Sequence, residues 1–311
     1  MLTGRAALFY TPFTVSTPDE SFLAPAIEPP AFDNPAPGDI DPDKPSWGLL
    51  SAVGVWLASV VLLFVMQMIG LVIYFLLRYR ISDLANFRQI VAEDQVALIF
   101  VSVLAIIPAH LLTLLVVWAI VTGFGQRPFW QSLGWGWSPR VGLGTSIVIA
   151  VVMLIVAVAI TQLSGGDKTQ LDQIIASSPA ARIATALLAT ATAPLIEEMV
   201  YRGVLYSALR KLIGALWAVV GVSALFTFVH VFQYSNNLGV IAAIALLSLT
   251  LTATRALTGR LLPCFVIHLI FNGVQAATLL AEPYLRTINE TNQPQAVSLI
   301  LLHALHALQV L

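Results

Sequence analysis

A run of 43 residues without a formal charge, residues 212–254, constrains this chain more than any other feature. Such a run is far longer than the ~20 apolar residues that cross the hydrocarbon core of a bilayer as one helix. Polar and turn-forming residues at 233–239 interrupt it, so the run predicts two membrane-spanning helices joined by a tight hairpin. The chain is therefore expected to be an integral membrane protein.

The composition and the other apolar runs lead to the same fold class. Hydrophobic residues make up 58% of the 311 residues and charged residues only 10%, whereas soluble domains carry about 25% charged residues. This balance excludes a soluble cytosolic enzyme. Five further runs predict spans at 49–77, 97–126, 141–166, 183–209 and 261–281. The predicted fold is all-α, a polytopic transmembrane helical bundle of seven helices, or of eight if the short run 296–311 also crosses.

The spans divide the chain into four regions. Residues 1–46 hold nine of the 17 prolines and seven acidic residues, a composition that predicts a disordered tail. Residues 47–124 contain the first two spans, separated by an amphipathic stretch at 81–97 that predicts a helix lying in the membrane interface. The region 125–281 contains the remaining spans, and 282–311 is a C-terminal segment with the optional eighth helix.

The charge distribution bears on partners and on location. The net charge is -1 and the 15 basic residues are scattered, so nucleic-acid binding is not expected. Counting Lys and Arg in alternating loops gives nine on the side of the N-terminus and six on the other, which favours an N-terminus inside the cell. The predicted location is the plasma membrane, with the lipid bilayer as a partner. The sequence does not determine the oligomeric state.

Ionisable side chains within membrane spans are energetically costly and are therefore candidates for a functional site. The candidates within or beside the spans are His110, Glu197, Glu198, Arg202, His230, Arg255 and His268, with His303 and His306 near the C-terminus. Helical spacing places Glu198 and Arg202 on one face, which predicts an ion pair. Glu197 is rotated by about 100° from its neighbour and is expected to remain available for another role. His110 follows Pro108 closely and is expected to pack at a helix kink.

Two further spans carry polar residues that can join Glu197 in a bundle. His230 lies in the predicted fifth span, and His268 and Asn272 lie four residues apart on one face of the seventh. A glutamate can act as general base on a water, and amide and imidazole N–H groups can stabilise an oxyanion. Glu197, His230 and His268 are also the ligand types of some catalytic zinc centres. Zinc or another divalent metal and a metal-free glutamate mechanism fit these residues equally well.

Three motifs, in this order along the chain, resemble those of a known family. They are Glu-Glu-x-x-x-Arg at 197–202, Phe-x-x-x-His at 226–230 and His-x-x-x-Asn at 268–272. The family is that of the CAAX prenyl protease type 2 and bacteriocin-processing intramembrane proteases, and the likeness covers residues 125–281. The resemblance implies activation of water by Glu197 and His230, stabilisation of the oxyanion or completion of a metal site by His268 and Asn272, and support of the helix by Glu198 and Arg202.

The function implied by this resemblance is hydrolysis of peptide bonds in membrane-associated or lipidated peptides. The expected partner is then a peptide or protein substrate in the membrane. An alternative is a non-catalytic membrane scaffold or bacteriocin-immunity protein that retains the fold. A third hypothesis is a transporter that uses the same residues as a proton relay. A serine nucleophile is less favoured, because the chain has no Gly-x-Ser-x-Gly motif.

Overall fold

A computed structural model describes residues 40–165 and 169–291. The predicted tail up to residue 39 and the optional eighth helix at 296–311 lie outside the described residues. Within the described residues the α-helices are α1 (Leu49–Arg78), α2 (Phe87–Glu93), α3 (Gln95–Leu104), α4 (Ile106–Thr122), α5 (Phe129–Ser132), α6 (Leu143–Ser164), α7 (Gln170–Ser177), α8 (Pro179–Leu187), α9 (Ala193–Glu197), α10 (Tyr206–Tyr234), α11 (Leu238–Thr258) and α12 (Leu262–Thr291). The described chain contains no strand, so the predicted all-helical polytopic fold is confirmed.

Two π-helical segments interrupt the helix that contains the paired glutamates. The first π segment, Leu188–Thr192, separates α8 from α9, and the second π segment, Glu198–Leu205, separates α9 from α10. A π-helical turn widens the helix by one residue and leaves carbonyl groups outside the regular hydrogen-bond ladder. Both segments lie where the sequence places candidate functional residues.

Six helical stretches in the described residues are long and apolar enough to cross a membrane. They are Leu49–Arg78, Gln95–Thr122, Leu143–Ser164, Pro179–Tyr234, Leu238–Thr258 and Leu262–Ala281. The sequence predicts seven spans over the same residues. The difference arises at the fourth stretch, which contains 56 residues and includes both the predicted fourth and fifth spans.

Gly214 divides this long stretch. A straight helix of 56 residues would be roughly 80 Å long, more than twice the ~30 Å thickness of a hydrocarbon core. At Gly214 the backbone has φ 81° and ψ 169°, a conformation that only glycine adopts readily. The stretch is therefore helical on both sides of a sharp break, and each side is long enough for one crossing.

The loop between the first two spans differs in detail from the predicted interfacial helix at 81–97. It consists of a 3₁₀ helix, Ile81–Asn86, followed by the short helix α2. The second span then begins at Gln95 and is interrupted after Leu104. Pro108 accounts for this interruption, because its ring nitrogen cannot donate to the carbonyl four residues earlier.

Two apolar clusters hold the bundle together. The first joins α1, α4, the second π segment and α10, and includes Val55, Val117 and Met199. The second joins α6, α11 and α12, and includes Leu154 and Leu251. The second π segment contacts α11 as well as the first cluster, so the paired glutamates lie between the two halves of the core.

Residues 41–47, the N-terminal strap, are packed against the bundle. Asp43 accepts from the buried guanidinium of Arg255 at 2.8 Å and pairs with Arg210 at 2.7 Å. The indole nitrogen of Trp47 donates to the carbonyl of Val204 at 3.1 Å. The end of the predicted tail is therefore joined to the second π segment, α10 and α11.

Candidate functional site

The predicted ion pair between Glu198 and Arg202 is present and fully buried. Nη1 of Arg202 donates to Oε1 of Glu198 at 2.8 Å, and both side chains are 0% exposed. The guanidinium also donates to Ser248 and Thr252 on α11 and lies over the ring of Phe226. These contacts compensate the charge of Arg202 inside the membrane and hold the second π segment against α11.

Gly203 permits this close packing. A Cβ atom at Gly203 would lie 2.7 Å from Cδ2 of Leu133 and 3.6 Å from Cδ2 of Leu261. Contacts below 3.0 Å are not sustained between carbon atoms, so a larger residue here would force the buried side chain of Leu133 to shift.

The other glutamate, Glu197, is in a different environment. Its side chain is 26% exposed, and its Oε2 lies 3.8 Å from Nε2 of His268. Nδ1 of the same imidazole lies 2.9 Å from Oε1 of Glu198. A carboxylate oxygen only accepts, so Nδ1 of His268 donates to Glu198 and Nε2 is directed toward Glu197. The structure therefore brings His268 between both glutamates.

His230 is near this group but is not bonded to either glutamate. Nδ1 of His230 donates to the carbonyl of Phe226 at 2.7 Å, which leaves Nε2 with the lone pair in the neutral ring. The Phe226 ring contacts both imidazoles, with centroids 4.6 Å from His230 and 6.2 Å from His268. Among the described residues, no nitrogen of His230 lies within 4.0 Å of a carboxylate.

Asn272 contacts the first π segment. Its Nδ2 donates to the carbonyl of Ala189 at 3.0 Å. This carbonyl is available because Ala193 N–H bonds to Leu188, five residues earlier, and Pro194 has no N–H to donate. One of the two N–H groups of Asn272 is used in this contact, and the second has no acceptor among the described residues.

One buried polar residue beside the site has a partner that the sequence did not predict. His110 on α4, expected to pack at a helix kink, is 8% exposed, and its Nδ1 lies 2.8 Å from Oγ1 of Thr192, the last residue of the first π segment. These residues are 82 positions apart in the chain. Their contact depends on how two spans pack, which the spacing of residues within one helix does not indicate.

Glu197, His230 and His268 are donor types that suit zinc, but their arrangement differs from a metal site. In the part of the chain that the structure describes, no three His, Cys, Asp or Glu side chains form a group that could hold a metal. The two nitrogens of His268 face two carboxylates, and among the described residues His230 does not join them as a third ligand group. The side chains as placed do not fit a metal centre.

A comparison with protein families gives one match. Residues 179–274 match the family described as type II CAAX prenyl endopeptidase, Rce1-like. No curated protein and no solved structure matches the chain. The matched residues run from the start of α8 into α12 and contain the paired glutamates, His230, His268 and Asn272. The family resemblance predicted from the sequence is therefore confirmed for residues 179–274, which form the Rce1-like segment of this membrane protein.

Proposed function

We propose that this protein is an intramembrane endopeptidase that cleaves membrane-associated or lipidated peptides, with Glu197 as the group that activates water. One observation carries the proposal: two adjacent carboxylates have opposite environments. Glu198 is 0% exposed and paired with Arg202, whereas Glu197 is 26% exposed and faces an imidazole. The match of residues 179–274 to a prenyl endopeptidase family supports the same chemistry.

The space between Glu197 and His268 suits a water molecule. Two atoms 3.8 Å apart are too distant for a direct hydrogen bond, but both can lie about 2.8 Å from one water. Glu197 accepts one hydrogen of this water in the proposal. The free Nε2 of His230 accepts the other when substrate binding brings the groups together, because catalytic contacts often tighten in the substrate complex.

The proposed reaction is a direct hydrolysis. Glu197 takes a proton from the water as its oxygen bonds to the scissile carbonyl carbon, which forms a tetrahedral oxyanion. The same proton then moves from Glu197 to the amide nitrogen, and the carbon–nitrogen bond breaks. The products are one carboxylic acid and one amine, with all atoms of the water and the peptide accounted for.

Asn272 and His268 are proposed to stabilise the oxyanion. The second Nδ2 hydrogen of Asn272 is available as a donor, because only one contacts Ala189. His268 can donate from Nε2 when that atom is protonated, since its Nδ1 is already held by Glu198. Removing one such donor from an enzyme typically costs about 10²–10³ in kcat.

We also propose that the protein lies in the plasma membrane with its N-terminus inside. The N-terminal strap contacts Arg210, Lys211 and Arg255 at one end of the bundle. Basic residues are enriched on the cytoplasmic side of membrane proteins. Their position beside the strap supports a cytoplasmic N-terminus.

The function can be tested by comparing new peptide termini in membranes. Membranes that contain the wild-type protein, Glu197→Gln or Glu93→Gln are analysed at equal expression. Glu93 is an exposed glutamate outside the site, so its substitution is a matched control. The proposal expects termini that are present with wild type and Glu93→Gln and absent with Glu197→Gln. Identical termini in all three would overturn it and favour a non-catalytic scaffold.

A further inference from the structure

We infer that His110 and Thr192 form a brace through which α4, outside the Rce1-like segment, positions the candidate active site inside it. His110 lies on α4, which is not part of the matched residues 179–274. The inference rests on the proposed function and adds positioning residues to it. Neither His110 nor Thr192 is proposed to touch the reacting atoms.

The hydrogen bond between His110 and Thr192 gives each of the two side chains its main partner. A histidine inside a membrane span is costly unless its polar atoms find partners. His110 is 8% exposed, and its Nδ1 lies 2.8 Å from the Thr192 hydroxyl. Apart from His110, the Thr192 hydroxyl has one contact in the described part of the chain, a long one of 3.4 Å to the carbonyl of Leu188. The imidazole is therefore its principal partner.

The brace acts on the segment that orients the site. Thr192 is the last residue of the first π segment. The five-residue helix α9 follows directly, and Glu197 is its last residue. The same π segment presents the Ala189 carbonyl to Asn272. Its geometry therefore sets the directions of both Glu197 and Asn272.

A hydroxyl deletion with a matched control tests the brace. Thr192→Val removes the hydroxyl and keeps the shape, whereas Thr192→Ser keeps the hydroxyl. Thr185→Val is the control, because the Thr185 hydroxyl has no hydrogen-bond partner among the described residues. The full-length variants and His110→Ala are compared in detergent, using a peptide identified from the membrane termini. If the membranes with wild-type protein show no cleaved peptide that can serve as substrate, only the hydrogen exchange of the backbone amides is measured.

Two readouts separate positioning from mere stability. Thr192→Val and His110→Ala are expected to lower kcat roughly tenfold with little change in KM, because a small misplacement of catalytic groups is costly. Hydrogen exchange in residues 188–197 should become faster in both variants and stay unchanged in Thr185→Val. Thr192→Ser should resemble wild type.

The possible results have distinct meanings. Normal exchange in Thr192→Val overturns the brace whether or not cleavage is detected. Faster exchange with a normal kcat shows that the contact is only structural and overturns the positioning role. If wild type cleaves nothing that depends on Glu197, the proposed function fails, and exchange alone still decides whether the brace exists.

Discussion

Nδ1 of His268 lies 2.9 Å from Oε1 of Glu198, the same oxygen that accepts the guanidinium of Arg202. One carboxylate oxygen thus joins a buried cation to an imidazole on a different helix. This contact directs Nε2 of His268 toward Glu197. The two adjacent glutamates consequently have different roles. Glu198 holds Arg202 and His268 in place, whereas Glu197 is partly exposed.

The first prediction concerns the buried ion pair. Arg202→Met should destabilise the protein by about 3–5 kcal/mol, because the carboxylate of Glu198 would remain buried without its cation. Adding Glu198→Gln to this variant should recover part of the loss, since the unpaired charge is then removed. Thermal unfolding in detergent measures both. Strictly additive losses in the double variant would contradict a coupled pair.

The second prediction concerns Pro194. Pro194→Ala gives the chain an N–H that can bond to the carbonyl of Ala189, which Asn272 now occupies. We expect cleavage to slow by about tenfold, while thermal stability stays equal or rises, because alanine favours the helix. Pro179→Ala is the control, since Pro179 begins α8 where no donor is required. Equal rates in both variants would show that Ala189 does not orient Asn272.

The third prediction concerns the N-terminal strap. Asp43→Asn removes the carboxylate that pairs with Arg210 and with the fully buried Arg255. The expected loss of stability is about 3–5 kcal/mol, because a buried guanidinium loses its counter-charge. Asp41→Asn should cost at most about 1 kcal/mol, since the Lys44 pair that it loses is exposed. The amide oxygen of asparagine can still accept from the backbone N–H of Asp43, as the carboxylate now does at 2.9 Å. Similar melting temperatures for both variants would contradict the proposal that Asp43 joins the N-terminal strap to α10 and α11.

The fourth prediction concerns the contact between the end of α1 and the start of α3. The hydroxyls of Tyr74 and Tyr79 donate to Asp94. These hydrogen bonds lower the pKa of Asp94, and the bond to Asp94 raises the pKa of Tyr79 to about 12. The stabilisation by Asp94 is complete above its ordinary pKa and is lost as the pH falls through its lower folded value. The stabilisation by Tyr79 is complete below about pH 10 and is lost as the pH rises toward 12.

Melting temperatures of wild type and Tyr79→Phe across this range check the fourth prediction. The two proteins should differ most between about pH 5 and 9 and converge at both acidic and strongly alkaline pH. A difference that does not change with pH would mean that the ionised Asp94 carboxylate is not the acceptor that matters.

The sequence predicts much of this architecture because the determining patterns are local. Long apolar runs indicate the spans, and four-residue spacing indicates both the Glu198–Arg202 pair and the shared face of His268 and Asn272. The family resemblance predicted from the sequence covers residues 125–281, and the family comparison supports it over residues 179–274.

Other features depend on contacts between distant parts of the chain. His110 and Thr192 are 82 residues apart, and Asp43 and Arg255 are 212 apart. No periodicity within one helix encodes such pairs. The π segments also escape pattern analysis, because residues 183–209 have the apolar spacing of an ordinary helix. Only the missing N–H of Pro194 could have suggested an irregular turn there.

The central proposal is that Glu197 activates water whereas Glu198 holds the site in place. The most direct test measures the cleavage rate and the melting temperature of both Glu197→Gln and Glu198→Gln. Glu197→Gln should melt like wild type and lose cleavage by at least about 10³-fold, as expected for a catalytic base acting in a preorganised site. Glu198→Gln should lower the melting temperature, because Arg202 loses its counter-charge. Normal cleavage by a folded Glu197→Gln variant would contradict the account.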